Sequence, residues 1–142
     1  MNSILTEWVA LDTNQFIFAL CQDPAYPACE VLLFDQLHKL NIYMPLQVLI
    51  ELQRNLTSDE MRGIFLALNR AKAIRWDYVP ASLEAIARWR SQGAKKGDAV
   101  IVAHLEAASI KYLVSENRHF LKEVANLPFQ VLSSVDIVQI LQ

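Results

Sequence analysis

The stretch GDAVIVAHLEAASIKYLVSENRHF, residues 97–120, constrains this chain more than any other. Asp98 precedes Ala99-Val100-Ile101-Val102-Ala103, which on a helix is apolar almost all round and so belongs in an interior. A buried helix that begins with a carboxylate aims that carboxylate at something. The helix reads as ending at Ala107-Ala108-Ser109, and residues 110–114 are too few for another helix but suit a strand under cover. Ser115, Glu116 and Asn117 then fall at the strand's carboxyl end, where open parallel α/β sheets bind their ligands. Partners of Asp98 are to be sought along that edge.

Upstream the same alternation repeats. Trp8-Val9-Ala10-Leu11 is a short apolar strand that stops at Asp12-Thr13-Asn14, a turn-favouring polar cluster. Residues 15–21 read as a brief helix, and 28–40, beyond Pro24 and Pro27, as a crossover helix. Asn41-Ile42-Tyr43-Met44 fits a second strand, with Pro45 in the first turn of a helix whose apolar face is Leu46, Val48, Leu49, Ile50 and Leu52. Glu51 sits inside that run, and an acid there is costly unless it is paired or binds a cation. Thr57-Ser58-Asp59-Glu60 supplies caps for a helix reaching about Ala73. A third strand over 75–79, a helix opened by Pro80-Ala81-Ser82 and ending near Gly93, a short helix over 118–124, a last strand over 129–132 and a helix capped by Ser133-Ser134 complete the chain. The expected fold is α/β, one domain over residues 1–142, with a mostly parallel sheet of four to five strands covered by helices on both faces.

Composition removes several classes. The chain is 54% hydrophobic, yet no apolar run approaches the ~20 residues of a membrane span. The start, Met1-Asn2-Ser3-Ile4, has neither a basic region nor a signal-like core, so the expectation is a cytoplasmic protein with no membrane partner. Cys21 and Cys29 have no second pair to make a zinc site and read as buried small hydrophobes. Three glycines, Gly63, Gly93 and Gly97, cannot make a dinucleotide-binding loop. A net charge of −2 does not announce a nucleic-acid binder, although of the 13 basic residues only Lys39 lies in the first fifty.

Three acids remain where such a fold would gather them: Asp12 after the first strand, Glu51 in a helix and Asp98 at a helix start. Taken singly, Asp98 reads as a helix cap, Asp12 as a turn residue and Glu51 as an acid reaching for solvent. His104 reads as a structural histidine, Trp76 and Trp89 as core. As a set, oxygen donors without His or Cys favour a hard cation, and Mg²⁺ in particular takes a few carboxylates together with substrate phosphates. That chemistry is metal-assisted phosphodiester hydrolysis.

These residues carry a resemblance. LDTN at Leu11 to Asn14, Glu51 in VLIELQ, Asp98 in GDAVIVAHLEA and Ser115-Glu116-Asn117-Arg118-His119-Phe120 resemble, in order and spacing, the motifs of PIN-domain ribonucleases, the family of the VapC-like toxins of bacterial toxin–antitoxin modules. The resemblance implies that Asp12, Glu51 and Asp98 hold Mg²⁺ or Mn²⁺, that Asn117 completes the catalytic pocket, and that Thr13, Asn14 and Ser115 orient ligands or phosphate. It implies RNA as substrate and, for a toxin, an antitoxin protein as partner and pairing into a homodimer. Lys95, Lys96 and Arg118 flank the expected pocket as phosphate contacts. Asn117 departs from the family, which has an acid there, and adds no negative charge. Glu116 is adjacent, but neighbouring side chains at a strand end point apart. Two other functions therefore stand beside the nuclease: a PIN-like RNA- or protein-binding module that has lost catalysis, and a phosphatase using Asp12 as nucleophile. The latter's motif has a second Asp where Asn14 stands.

Overall fold

Strand-forming runs that are apolar on both sides can only lie inside a sheet covered twice, and the computed structural model has that arrangement. It describes residues 3–117, 124 and 126–142. The five strands are β1 (Trp8–Leu11), β2 (Asn41–Pro45), β3 (Ala73–Asp77), β4 (Tyr112–Val114) and β5 (Gln130–Leu132). All pair in parallel in the order β3-β2-β1-β4-β5. Ala10 lies opposite Tyr43 on one side and Leu113 on the other. Val9, Ala10 and Leu11 are all buried, as are Ile42, Tyr43 and Met44, so both faces of the sheet's middle are covered. The expected α/β fold is thereby met, in one domain.

Helix α1 (Thr13–Leu20) follows β1 directly. The crossover begins as α2 (Pro27–Glu30), widens into π-helical turns over Val31–Gln36 and tightens to a 3₁₀ turn over Leu37–Lys39, rather than running as one regular helix. Helix α3 (Leu46–Asn55) leaves β2 without a loop. Pro45 is the last residue of β2 and the cap before α3, not its first turn; its extended backbone, ψ 152°, pairs it with Asp77 of β3. Helix α4 (Ser58–Leu68) starts at the expected cap residues, which form a capping box, Thr57 Oγ1 accepting from Glu60 N–H while Glu60 accepts from Thr57 N–H. It stops five residues short of Ala73, which instead opens β3, so that strand starts earlier than expected. Helices α5 (Leu83–Ser91), α6 (Lys96–Ala107) and α7 (Ser134–Leu141) complete the layers.

The anticipated interior helix is α6. Ala99, Ile101, Val102, Ala103, His104 and Leu105 are all buried in it. Trp89 is core as expected, while Trp76 is half-buried, between Phe65 and Tyr78. Cys29 is buried, but Cys21 is exposed at the end of α1, a correction to the expectation for both cysteines. The anticipated helix over 118–124 lies outside the described residues, apart from Val124. Among the described residues no helix is long and apolar enough to cross a membrane.

Candidate functional site

The strand order reverses direction between β1 and β4, and the crevice outside the carboxyl ends of these two strands is where a parallel α/β sheet offers a site. Asp12 leaves β1 into it. Its Oδ1 accepts the N–H of Thr13 at 2.8 Å and its Oδ2 the hydroxyl of Ser115 at 2.8 Å. The backbone is stitched across the same gap, with Asp12 N–H donating to the Val114 carbonyl. Asp12 is thus both the cap of α1 and a group drawn toward the end of β4.

Glu51 comes from the second turn of α3. Its carboxylate accepts from the Thr13 hydroxyl and, at 3.0 Å, from Gln47 Nε2 one helical turn earlier. The acid that looked costly among apolar neighbours therefore sits half-buried and hydrogen-bonded on the cleft side of its helix. Asp98 is the third residue of α6, whose cap position is Lys95, and the Lys95 side chain makes no capping hydrogen bond. Asp98 Oδ2 accepts from Asn117 Nδ2 at 3.3 Å, and Asn117 N–H donates to Ser115 Oγ at 3.0 Å. Gly97, next to Asp98, gives Glu51 its room. A Cβ added there would stand 3.1 Å from Glu51 Oε2.

These groups surround a cleft of about 330 Å³. Asp12, Thr13, Asn14 and Ile17 line it from the β1–α1 side, Glu51, Arg54 and Asn55 from α3, and Asp98 and Asn117 from the β4 side. The four anticipated site residues do meet. Ser115, fully buried, supports Asp12 from beneath rather than lining the cleft. Arg54 and Asn55 were not anticipated, although three and four residues beyond Glu51 is the same helix face and could have been read from the spacing. Lys95 and Lys96 are exposed at the start of α6 and are not among the described lining residues. Arg118 lies outside the described residues. Glu116 turns the other way, as its place in the strand-end alternation requires, accepting from Ser134 N–H of α7 at 2.7 Å and from Gln15 Nε2 at 3.3 Å.

Burial first, and then the negative charges of Asp98 and Glu51, raise the Asp12 carboxyl from its ordinary 3.8 to about 6, against the lowering effect of its bonds from Ser115 and Thr13. Three carboxylates on one cleft, with no His or Cys among its described lining residues, suit a hard divalent cation in donor type and in sign. Among the described residues no three His, Cys, Asp or Glu side chains form a ready-made ion site. Asp12, Glu51, Asp98 and the amide oxygen of Asn117 are the groups that could close around one.

The chain is thus an α/β protein whose five-stranded parallel sheet carries a polar, acidic cleft at its switch point. The particular likeness comes from solved structures. The chain is similar to one in the VapBC2 complex from Rickettsia felis bound to a DNA fragment from its promoter, with 19% identity, a TM-score of 0.60, and coverage of 89% of this chain and 98% of that one. It is also similar to one in FitAcB from Neisseria gonorrhoeae, with 13% identity, a TM-score of 0.58 and the same coverage. Both are toxin–antitoxin complexes whose toxin is a PIN domain, and the likeness shows that this chain has the PIN-like fold that its motifs resemble. No protein-family model and no curated protein matches the sequence.

Proposed function

We propose that this chain is a metal-dependent RNA endonuclease, using Mg²⁺ or Mn²⁺, and that it acts as the toxin of a toxin–antitoxin pair. The observation that carries the reading is the convergence of Asp12, Glu51, Asp98 and Asn117, from four separate parts of the chain, on one cleft at the switch point of a PIN-like sheet. Asp12, Glu51, Asp98 and the Asn117 amide oxygen would hold the ion, which when bound generates a nucleophile from water at neutral pH and offsets charge on the leaving oxygen. The chain's own work is to keep these oxygens in place. Ser115 O–H and Thr13 N–H fix the two oxygens of Asp12, while Thr13 O–H and Gln47 fix those of Glu51. Arg54 at the rim supplies a phosphate contact, with Lys95 and Lys96 further out. Partnership with an antitoxin, and pairing into a homodimer, belong to the same proposal.

A second reading rests on Asn117. Its amide N–H engages Asp98 and adds no negative charge where the motif has an acid, as a binding module without catalysis would tolerate. A phosphatase is less well served, because its nucleophile, Asp12, is only 6% exposed and both its oxygens accept hydrogen bonds.

The test is incubation of the purified chain with structured and single-stranded RNAs in Mn²⁺ or Mg²⁺, beside Asp12→Asn and Asp98→Asn. Cleavage that EDTA and both substitutions abolish supports the nuclease, and Asn117→Asp is then expected to lower the Mn²⁺ concentration needed for half-maximal rate. Cleavage that survives both substitutions sinks the site. Tight RNA binding without cleavage, in the parent and in Asn117→Asp alike, selects the binding module.

A further inference from the structure

Glu116 is not among the described lining residues of the cleft, yet its carboxylate accepts two hydrogen bonds at the end of β4. We infer that Glu116 is the positioning residue of the site: by anchoring the backbone between Ser115 and Asn117 to α1 and α7, it holds Asn117 against Asp98 and Ser115 against Asp12. The functional arm of this inference rests on the nuclease reading; the structural arm does not.

The three residues after β4 alternate. Ser115 points to Asp12, Glu116 points away, and Asn117 points back to Asp98. Glu116 Oε1 accepts from Ser134 N–H and from Gln15 Nε2, and Gln15 in turn accepts from the Cys29 thiol at 3.3 Å. Gln15, Cys29 and Ser134 are 2%, 1% and 1% exposed, so the half-buried Glu116 is held by buried partners. The capping box at the start of α7 serves other donors, Ser133 Oγ accepting Asp136 N–H while Asp136 accepts Ser133 N–H, and leaves Ser134 N–H to Glu116. The bond from Ser134 to Glu116 therefore ties the start of α7 to the loop that carries the site. Without the carboxylate, two buried donors lose their acceptor. The segment then relaxes toward solvent, and Asn117 N–H no longer stays on Ser115 Oγ.

The experiment compares the full chain with Glu116→Ala and Glu116→Gln. Gln keeps an acceptor for Ser134 N–H and serves as the conservative rescue. By hydrogen exchange, the Asn117 amide in Glu116→Ala is expected to exchange at least about tenfold faster than in the parent, on the scale of one lost buried hydrogen bond. Ile137 and Val138 of α7 should stay as protected as in the parent, and Gln should restore Asn117. By titration with Mn²⁺ alone, affinity should fall by about 10–100-fold in Glu116→Ala, the usual effect of losing a group that orients metal ligands. The cleavage rate at saturating Mn²⁺ should change far less than the Mn²⁺ concentration needed to reach half of it. Unchanged exchange at Asn117, or faster exchange along the whole of α7, overturns the inference and leaves Glu116 a helix-stability residue. Should the parent chain bind no Mn²⁺, the nuclease reading fails by itself, and the exchange measurement still decides the role of Glu116.

Discussion

Asp12 ends β1 and Asp77 ends β3, two aspartates at the carboxyl edge of one parallel sheet, and their surroundings drive them in opposite directions. Asp12, at the sheet's centre, is buried opposite Glu51 and Asp98 and rises to about 6. Asp77, on the edge strand, is also pushed up by burial. Hydrogen bonds from the Tyr43 hydroxyl and Val79 N–H, with His104 and Arg75 nearby, outweigh that and hold it below its ordinary value. One acid has been left facing other acids; the charge of the other is held in place by donors. A strand-end carboxylate is therefore not a site by position. What converts Asp12 into a candidate is that two further carboxylates arrive beside it, brought by α3 and α6.

Exchanging each acid for its amide breaks the comparison most sharply. Asp12→Asn is expected to reduce RNA cleavage by more than about 100-fold, beyond the loss typical of groups that merely orient a metal ligand. Asp77→Asn should leave cleavage at the parental level and instead lower stability by about 1–2 kcal/mol, read by urea unfolding, through loss of a charge-assisted bond from Tyr43. Gly97→Ala tests the space that lets Glu51 approach. The new Cβ, 3.1 Å from Glu51 Oε2, should shift that carboxylate by a few tenths of an ångström and slow cleavage by about tenfold. Thermal melting should stay level or rise, since Ala is favoured over Gly in a helix by up to about 1 kcal/mol.

Tyr43→Phe sharpens the other half. Removing the hydroxyl takes one donor from Asp77, so the variant should lose about 1 kcal/mol of stability with cleavage intact.

The smallest effect is in pH dependence. His104, buried in α6, is held below 6.5 by desolvation, partly offset by Asp77, so its contribution to stability is present above 6.5 and is lost as pH falls below it. Asp12 has the opposite sign. Its folded value near 6 exceeds its unfolded 3.8, so stability grows as pH falls through that interval. His104→Leu removes only the first term and should lose less stability than the parent between pH 6.5 and 5 in urea titrations at each pH.

Much of the centre was legible because burial on both faces leaves a continuous apolar run. β1 and α6 announce themselves in this way, and the polar residues after them are then fixed at one edge. The meeting of Asp12, Glu51 and Asp98 was expected from their places at a strand end, in a helix and at a helix start, and the part of Asn117 from the resemblance of the motifs. The periphery was less legible. β3 lies at the sheet's edge and is only half-buried, so hydrophobic pattern did not define its start. Pro45 fits both a strand end and a helix start, and only its pairing with Asp77 decides. The bonds from Tyr43 to Asp77 and from Ser134 to Glu116 join residues far apart in sequence, which no local pattern records. Arg54 is different. Its place one turn beyond Glu51 was available from the sequence and went unread.

The stitch between β1 and β4 also has a temporal side. Ser115 and Asp12 are 103 positions apart, and the pairing of their strands closes a loop of that length. Such contacts form late, because chain entropy opposes them until local structure has shortened the distance. During synthesis Asp12 and Glu51 leave the ribosome before Asp98, but neither can be gathered with it before β4 has emerged and docked. A growing chain should accordingly carry its acids apart until then and acquire the cleft almost in one step.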